Sequence, residues 1–236
     1  MGAVAWTSAA AGLSLTAAAA WAVRGRSSNL FGPSVWRGPA SKRSLALTFD
    51  DGPSESTEEI LALLDRFGAR ATFFQCGANA ERLPSAARAA SQAGHEIGNH
   101  TYSHARLWLR SPAFIESEIA RAQQTLAEVH GAPPRLFRAP FGVRWPGLGE
   151  AQRSHDLLGV MWTVLGRDWV ASGPGVAAKL TQGARPGAIL CLHDGRELRA
   201  KPDISATLAA LREALPLLRD EGYEFNTVTG LLGRGY

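Results

Sequence analysis

The sequence is poor in cysteine and has no internal repeat. Its 236 residues include two cysteines, Cys76 and Cys191, too few for a disulfide framework in a chain of this length. Each lies in an apolar run, where a free thiol behaves as a small hydrophobic group. Hydrophobic residues make up 45% of the chain and charged residues 19%, which excludes a disordered chain, a collagen-like protein and a multi-span membrane protein.

Acidic residues are absent from positions 1–43, which carry five basic side chains. The rest of the chain holds nearly equal numbers of the two kinds, 20 basic and 21 acidic. The pI of about 9.5 therefore describes a basic N-terminal tail and not a basic domain. Since nucleic-acid binding needs Lys and Arg clustered on the folded part, we expect no nucleic-acid partner.

Charge of either sign is also absent from residues 2–23, and a helix of that length, at about 1.5 Å per residue, would span a bilayer core. Ten of these residues are Ala, so the stretch is only weakly hydrophobic, and the positive n-region of a signal peptide is missing. We predict that residues 1–24 are an N-terminal apolar segment, either a membrane anchor or a cleaved signal peptide. A soluble N-terminal helix and a wrongly assigned start remain open.

The basic residues that follow this segment bear on location. Residues 25–43, rich in Gly, Ser, Pro and Arg, are typical of a linker. The positive-inside rule, applied to Arg24 and Arg26, would place the following domain in the cytoplasm. Membrane association through residues 2–23 or export to the cell envelope is nevertheless what we expect, rather than a cytoplasmic protein, and the orientation stays open.

From Ser44 onward, short apolar runs typical of strands alternate with longer runs of helical spacing. The predicted strands cover residues 45–49, 71–76, 96–99, 136–138, 160–164, 188–192 and 224–228. Near-continuous apolar strands separated by helices indicate a parallel sheet covered on both faces. About seven such units in one run fit a distorted (β/α) barrel better than an open sheet. We therefore predict an α/β fold of this kind, with one catalytic domain over residues 44–236.

Polar side chains that could perform chemistry share one position, since each ends or follows a predicted strand. They are Asp50, Asp51, His100, His104, Arg138, Asp168 and His193. In parallel barrels, function gathers at the carboxyl ends of the strands, so we expect these side chains to lie close together. Each signal alone is weak, because paired histidines are common on surfaces and Asp-Asp-Gly is typical of a turn. Their shared position is what gives them weight.

The set suits metal-assisted hydrolysis. Two imidazoles and one carboxylate form a three-ligand site for zinc or a similar divalent ion, with a position left open for water. A second carboxylate could take the proton of that water, whose pKa the metal lowers, and a separate histidine could protonate the leaving group. These residue types therefore predict hydrolysis of an amide or an ester.

Five short motifs, in this order, resemble those of the NodB-homology polysaccharide deacetylases. They are TFDDG at 48–52, HTYSH at 100–104, RAPF at 138–141, DW at 168–169 and LCLHD at 190–194. The resemblance covers residues 44–230. It implies the NodB-like deacetylase fold, a distorted barrel of seven or eight strands, and removal of acetyl groups from a sugar polymer.

The resemblance also implies a role for each residue that matches a motif. Asp50 resembles the general base and His193 the general acid, with Arg138 pairing with the base and Asp168 with the acid. The metal ligands would be Asp51, His100 and His104. The residues expected to contact substrate are Pro140, Phe141, Trp169 and Leu192.

Within that last group the expected roles differ. Trp169 and Leu192 resemble the residues that form the pocket for the acetyl methyl group. The Phe141 backbone N–H resembles the group that donates a hydrogen bond to the oxyanion. Phe141 stands where the family usually has Tyr, but a backbone donor does not depend on the side chain. Arg144 and Trp145, just beyond the third motif, suit either a sugar contact or an ordinary exposed loop with a packing Trp.

The cofactor expected from this site is a divalent metal ion, zinc first, with cobalt or manganese as alternatives. The expected substrate is an acetylated glycan such as peptidoglycan or a chitin-like oligosaccharide, cleaved at N-acetyl rather than O-acetyl groups. Three alternatives stay open: an O-acetyl esterase of the xylan type, a cyclic imide or ureide hydrolase on the same scaffold, and a non-catalytic glycan-binding protein.

Overall fold

Nine strands form a single sheet in the computed structural model, which describes residues 16–233. The strands are β1 (Ser34–Val35), β2 (Ser44–Asp50), β3 (Ala71–Gln75), β4 (Glu96–Asn99), β5 (Leu136–Phe137), β6 (Leu158–Val160), β7 (Val164–Leu165), β8 (Ile189–His193) and β9 (Glu224–Asn226). Their order is β1-β6-β5-β4-β3-β2-β8-β7, with β9 paired to β2, and all of these pairs are parallel.

The sheet curls until its two ends approach each other. Strands β6 and β7 lie near opposite ends of the strand order, yet only residues 161–163 separate them along the chain. Strand β1 pairs with β6, and Arg37 makes an antiparallel bridge to Ala188, directly before β8. Residues 34–37 therefore bridge the gap between the two ends. The prediction of a distorted (β/α) barrel is confirmed.

Helices cover the outside of the curled sheet. They are α1 (Thr57–Arg66), α2 (Gly77–Arg82), α3 (Pro84–Gln92), α4 (Pro112–His130), α5 (Leu148–Ser154), α6 (Gly173–Gly183), α7 (Ser205–Asp220) and α8 (Val228–Leu232). A 3₁₀ turn covers Pro140–Gly142, and residues 16–24 are helical. The longest, α4, begins where the Ser111 side chain accepts a hydrogen bond from the Phe114 N–H and ends at Gly131, whose φ is 82°. These are the usual start and stop signals of a helix.

Strand β2 shows how the sheet separates two layers. All seven of its residues are buried, and successive side chains point to opposite faces. Leu45, Leu47 and Phe49 join the large core cluster under the helices, whereas Ala46 joins a smaller cluster inside the barrel. Asp50 shares the inward face of Ala46, so the strand delivers a carboxylate to the mouth of the barrel.

The predicted strand 160–164 is interrupted. The structure has β6 and β7 with three residues between them. There the carbonyl oxygens of Val160 and Met161 accept hydrogen bonds from the Arg138 guanidinium, and the Thr163 N–H donates to the Ile189 carbonyl of β8. The interruption therefore lies where a buried cation packs.

The segment predicted as a linker, residues 25–43, packs on the domain and contributes β1 to the sheet. Arg144 donates hydrogen bonds to the carbonyl oxygens of Gly25 and Ser28, and Arg26 donates one to the Thr163 carbonyl, at 2.7 Å. Carbonyl oxygens carry no sequence signature, so composition alone did not reveal these contacts. The start of the catalytic domain at residue 44 stays a prediction.

The predicted N-terminal apolar segment falls largely outside the described residues, since residues 1–15 are not among them. No helix within residues 16–233 combines the length and the hydropathy needed to cross a bilayer.

Candidate active site

Six polar side chains from the ends of four strands converge on one cleft of about 1210 Å³ at the carboxyl end of the barrel. Its lining includes Asp50, Asp51, His100, His104, Asp168 and His193. Arg138, the seventh residue that the sequence singled out, lies directly behind Asp50. The residues brought together are those whose shared position after a strand suggested chemistry.

The first cluster is Asp51, His100 and His104. The Asp51 Oδ1 atom lies 3.3 Å from His100 Nε2 and 3.0 Å from His104 Nε2. His100 Nδ1 lies 2.7 Å from the Arg138 carbonyl oxygen, which can only accept, so Nδ1 carries a hydrogen and Nε2 is the nitrogen that faces Asp51. Within the described residues, two groups bring three possible donor atoms within 4.8 Å of one another: this trio, and the set Asp50, Cys191 and His193. One carboxylate and two imidazoles that converge on one buried position form a donor set that suits a divalent ion.

Electrostatics keep the Asp51 carboxylate charged. Burial alone would raise its pKa, but the hydrogen bonds from His100 and His104 outweigh burial and hold the pKa of Asp51 well below the ordinary 3.8. The other carboxylate oxygen, Oδ2, accepts a hydrogen bond of 2.8 Å from the Glu197 N–H. Asp51 is therefore both ionised and fixed in orientation.

The backbone of this cluster is strained, and buried amide side chains support it. Asp51, Thr101 and His104 have φ values of 74°, 65° and 55°, a region that residues other than Gly adopt at a cost. Asn79 donates to the Asp51 carbonyl oxygen, and Asn99 Oδ1 accepts from the Thr101 N–H at 2.8 Å. Sequence reasoning did not single out either asparagine, since a buried Asn has no signal apart from its contacts.

The second cluster is an ion pair at the bottom of the cleft. Arg138 Nη1 lies 2.6 Å from Asp50 Oδ1, and the Arg138 side chain is fully buried. The guanidinium also donates to Thr48 Oγ1 at 2.7 Å and to two backbone carbonyls, and it lies over the Phe74 ring. The Asp50 Oδ2 atom has a weaker neighbour, Cys191 Sγ at 3.4 Å. Oδ1 is thus committed to the arginine, and Oδ2 is the oxygen left to take a proton.

The third cluster holds His193. Its Nδ1 lies 2.9 Å from Asp168 Oδ1, and its backbone N–H donates to Asp168 Oδ2 at 3.0 Å. Thr207 Oγ1 donates to the same Oδ2 at 2.6 Å, and an Arg196 Nη atom lies 3.5 Å from it. Burial would lower the pKa of His193, but the hydrogen bond and charge of Asp168 outweigh it, so that pKa is raised above 6.5. Because Nδ1 is bound to Asp168, Nε2 is the nitrogen available to the cleft.

The four residues expected to contact substrate do not all reach the cleft. Phe141 and Trp169 are exposed and line it, and the Trp169 ring meets His193 edge-on at 5.1 Å. Pro140 is buried in the 3₁₀ turn and is absent from the lining.

Leu192 needs a correction, because its side chain packs in the large core under the helices and does not line the cleft. Cys191 lines it instead. Alternation along β8 places residues 191 and 193 on the inward face and residue 192 on the helix side.

Arg144 and Trp145, the residues after the third motif, pack against other parts of the protein. Arg144 is buried and bonded to carbonyls of the N-terminal segment, and Trp145 packs against Phe31 and Trp108. Neither is among the residues that line the cleft. Arg24, from the segment predicted to be anchor or signal, does line it, a placement that sequence spacing could not reveal.

The mouth of this parallel barrel holds one carboxylate with two imidazoles, a buried Asp–Arg pair and an Asp–His pair. These are the features of a metal-dependent hydrolase. The family model for polysaccharide deacetylases matches residues 37–159. The chain is 37% identical over 196 residues to a chitooligosaccharide deacetylase of Azorhizobium caulinodans, covering 78% of this chain and 91% of that protein. This chain belongs to the polysaccharide deacetylase family and is a polysaccharide deacetylase.

Two further relatives support this placement. A peptidoglycan-N-acetylglucosamine deacetylase of Bacillus cereus is 35% identical over 204 residues, which cover 84% of this chain and 92% of that protein. The crystal structure of the Bc1960 peptidoglycan N-acetylglucosamine deacetylase matches with a TM-score of 0.78 and 29% identity, over 86% of this chain and 94% of that one. Both the fold and the family predicted from the motifs are therefore confirmed.

Proposed function

We propose that the protein removes N-acetyl groups from a glycan of the cell envelope, with N-acetylglucosamine units of peptidoglycan or of a chitin-type oligosaccharide as substrate and zinc as the metal. The observation that carries this proposal is the meeting of Asp51, His100 and His104 beside Asp50 and His193. The names of the relatives, which act on chitooligosaccharide or on peptidoglycan N-acetylglucosamine, supply the substrate class.

The metal would be held by Asp51 Oδ1 and by one nitrogen of each of the two histidines. A divalent cation there supplies a Lewis acid that polarises a carbonyl and lowers the pKa of a water molecule. One carboxylate with two imidazoles is a ligand set that zinc accepts, and cobalt or manganese remain alternatives.

Asp50 would act as the general base. Its Oδ1 is held by Arg138 at 2.6 Å, which leaves Oδ2 to accept the proton of the attacking water. The ion pair fixes the direction of the carboxylate. Positioned general bases contribute about 10²–10⁴ in rate.

His193 would act as the general acid. Because Asp168 holds Nδ1 and raises the pKa of the imidazole, Nε2 keeps its proton to higher pH and can give it to the departing amine of the sugar. The Phe141 N–H would stabilise the developing oxyanion, and Trp169 with Cys191 would enclose the acetyl methyl group. Cys191 takes the place that the sequence assigned to Leu192.

We also propose a location at the cell envelope, which the proposed substrate and the uncharged stretch at residues 2–23 support. Either a retained anchor or a cleaved signal would bring the domain to its glycan.

The test is acetate release by the purified protein. We expect release from N-acetylglucosamine oligomers and from peptidoglycan, and little release from acetylated xylan, whose acetyl groups are esters. Release from xylan alone would overturn the N-acetyl preference, and no release from any of the three substrates by the metal-loaded enzyme would overturn the proposed activity.

A further inference from the structure

Three segments beside the cleft contain arginines and no carboxylates. Residues 16–49, 98–115 and 135–149 lack both Asp and Glu. The next carboxylates along α4, Glu116 and Glu118, are bonded to His155 and to Ser103. Arg135 and Arg138 in these segments pair with Asp156 and Asp50, but Arg106 and Arg110 form no ion pair within residues 16–233. Positive charge without a counter-charge attracts anionic partners.

These three segments contact one another and form one surface. The Arg144 N–H donates to the Val23 carbonyl at 3.0 Å, which ties the N-terminal segment to residues 135–149. The Trp145 ring lies 6.2 Å from Phe31 and 6.5 Å from Trp108, which ties in the loop after His104. The surface is therefore continuous although its parts are distant in sequence.

Large apolar side chains stand out from this surface. Trp21, Leu30, Trp108 and Leu109 are 51%, 67%, 58% and 68% exposed, whereas Leu107 in the same loop is fully buried and anchors it. Leu109 is held outward with a φ of 58°, a conformation that costs energy for Leu. We call the exposed set Trp21, Leu30, Trp108, Leu109, Arg106 and Arg110 the aromatic-basic face.

The composition of this face identifies its partner. Tryptophan and leucine beside arginine, without acids, is the combination that lies at the boundary between lipid headgroups and acyl chains. The chain also enters the face from an apolar stretch, since residues 17–21 are exposed and consist only of Ala and Trp, and no charge lies between residues 2 and 23.

We propose that the aromatic-basic face docks the catalytic domain on an anionic lipid bilayer. The N-terminal stretch could by itself hold the chain near a membrane in any orientation; this face would fix one orientation of the folded domain. Arg24 and Phe141 lie where the face meets the cleft, and Arg106 covers the Phe141 ring at 4.7 Å. Docking would therefore bring the mouth of the cleft to the lipid surface, a consequence that does not depend on which glycan is cleaved.

The test labels the face in the full-length chain. A Leu109→Cys variant carries a nitrobenzoxadiazole fluorophore at position 109. The native Cys76 and Cys191 are buried, so the unsubstituted protein treated with the same reagent is the labelling blank. The matched control is Leu217→Cys, also an exposed leucine. It lies in α7, twelve residues or about 18 Å along the helix from Ser205, which lines the cleft. Both proteins are mixed with vesicles of phosphatidylcholine alone or with phosphatidylglycerol added.

We expect a blue shift at position 109 with the anionic vesicles, quenched by lipids brominated in the acyl chain, and no shift at position 217. An added Arg110→Gln change should weaken docking about fivefold, the effect of one arginine near an anionic surface.

Three results would overturn the proposal. One is an unchanged label at position 109 in both kinds of vesicle, and another is an equal response at positions 109 and 217. The third is a shift at position 109 that grows with protein concentration in detergent without vesicles, since a second copy of the chain would then cover the face.

Discussion

The Asp50 and Arg138 side chains form an ion pair of 2.6 Å that is shielded from solvent, with the carboxylate aimed from β2 and the guanidinium from the end of β5. Only one carboxylate oxygen takes part. The pair thus separates two tasks within one side chain, since Oδ1 fixes the orientation and Oδ2 remains for chemistry.

The first prediction concerns the base. Asp50→Asn keeps the shape of the side chain and removes the charge that accepts the proton, so kcat should fall by about 10²–10⁴ while the circular dichroism spectrum stays unchanged. Asp156→Asn is the matched control, because Asp156 is exposed and contacts Arg135 outside the cleft. Acetate release should be normal in the control, and a loss below tenfold in Asp50→Asn would remove Asp50 from the role of base.

The second prediction concerns the stability of the pair. Arg138→Met leaves the Asp50 carboxylate buried without its partner, and breaking a buried pair in this way costs about 3–5 kcal/mol. The free energy of unfolding, measured in urea at neutral pH, should fall by that amount. The double variant Asp50→Asn with Arg138→Met should recover part of the loss because no unpaired charge remains. Equal stability of the single and double variants would contradict this explanation.

The third prediction concerns pH. Asp168 raises the pKa of His193, so the protonated imidazole persists to higher pH and the rate is lost only when the pH passes that raised pKa. Asp168→Asn removes the charge that raises it, and the alkaline limb of kcat/KM should then move to lower pH. The pH–rate profile of the two proteins measures the displacement. A limb that stays in place in Asp168→Asn would mean that His193 is not the group that titrates.

The fourth prediction concerns the metal. Exhaustive chelation should abolish acetate release, and added zinc or cobalt should restore it. His104→Ala removes one of three donors and should lower metal content after dialysis, measured by elemental analysis, whereas His155→Ala should leave it unchanged because His155 pairs with Glu116 away from the cleft. Full activity after chelation, or equal metal content in the two variants, would contradict the proposed site.

The meeting of the seven polar residues could be predicted from sequence because each follows a strand, and parallel strands end at the same edge. Asp51 and His100 are separated by 49 positions in the chain, yet β2, β3 and β4 are neighbours in register. The order of the motifs along the chain, together with a parallel sheet, was sufficient to predict that these residues meet.

Other placements could not be predicted, for identifiable reasons. The run Leu190-Cys191-Leu192 is apolar at every position, so no alternation reveals which side chain faces inward. Arg144 resembles an exposed loop arginine until its carbonyl partners are known. Residues 25–43 have the composition of a linker, but their contacts are made largely through backbone atoms, which composition does not report.

The exchange of Leu192 for Cys191 as the pocket residue gives the last prediction. Leu192→Ala removes a side chain from the core under the helices, so it should lower the free energy of unfolding by about 2–5 kcal/mol and leave kcat/KM of the folded enzyme nearly unchanged. Cys191→Ala removes the neighbour of Asp50 Oδ2 and one wall of the cleft, so kcat/KM should fall by more than the accompanying loss of stability explains. Urea unfolding and acetate release, measured on both variants, separate the two effects. The opposite pattern, with kcat/KM reduced in Leu192→Ala and unchanged in Cys191→Ala, would return the acetyl pocket to Leu192.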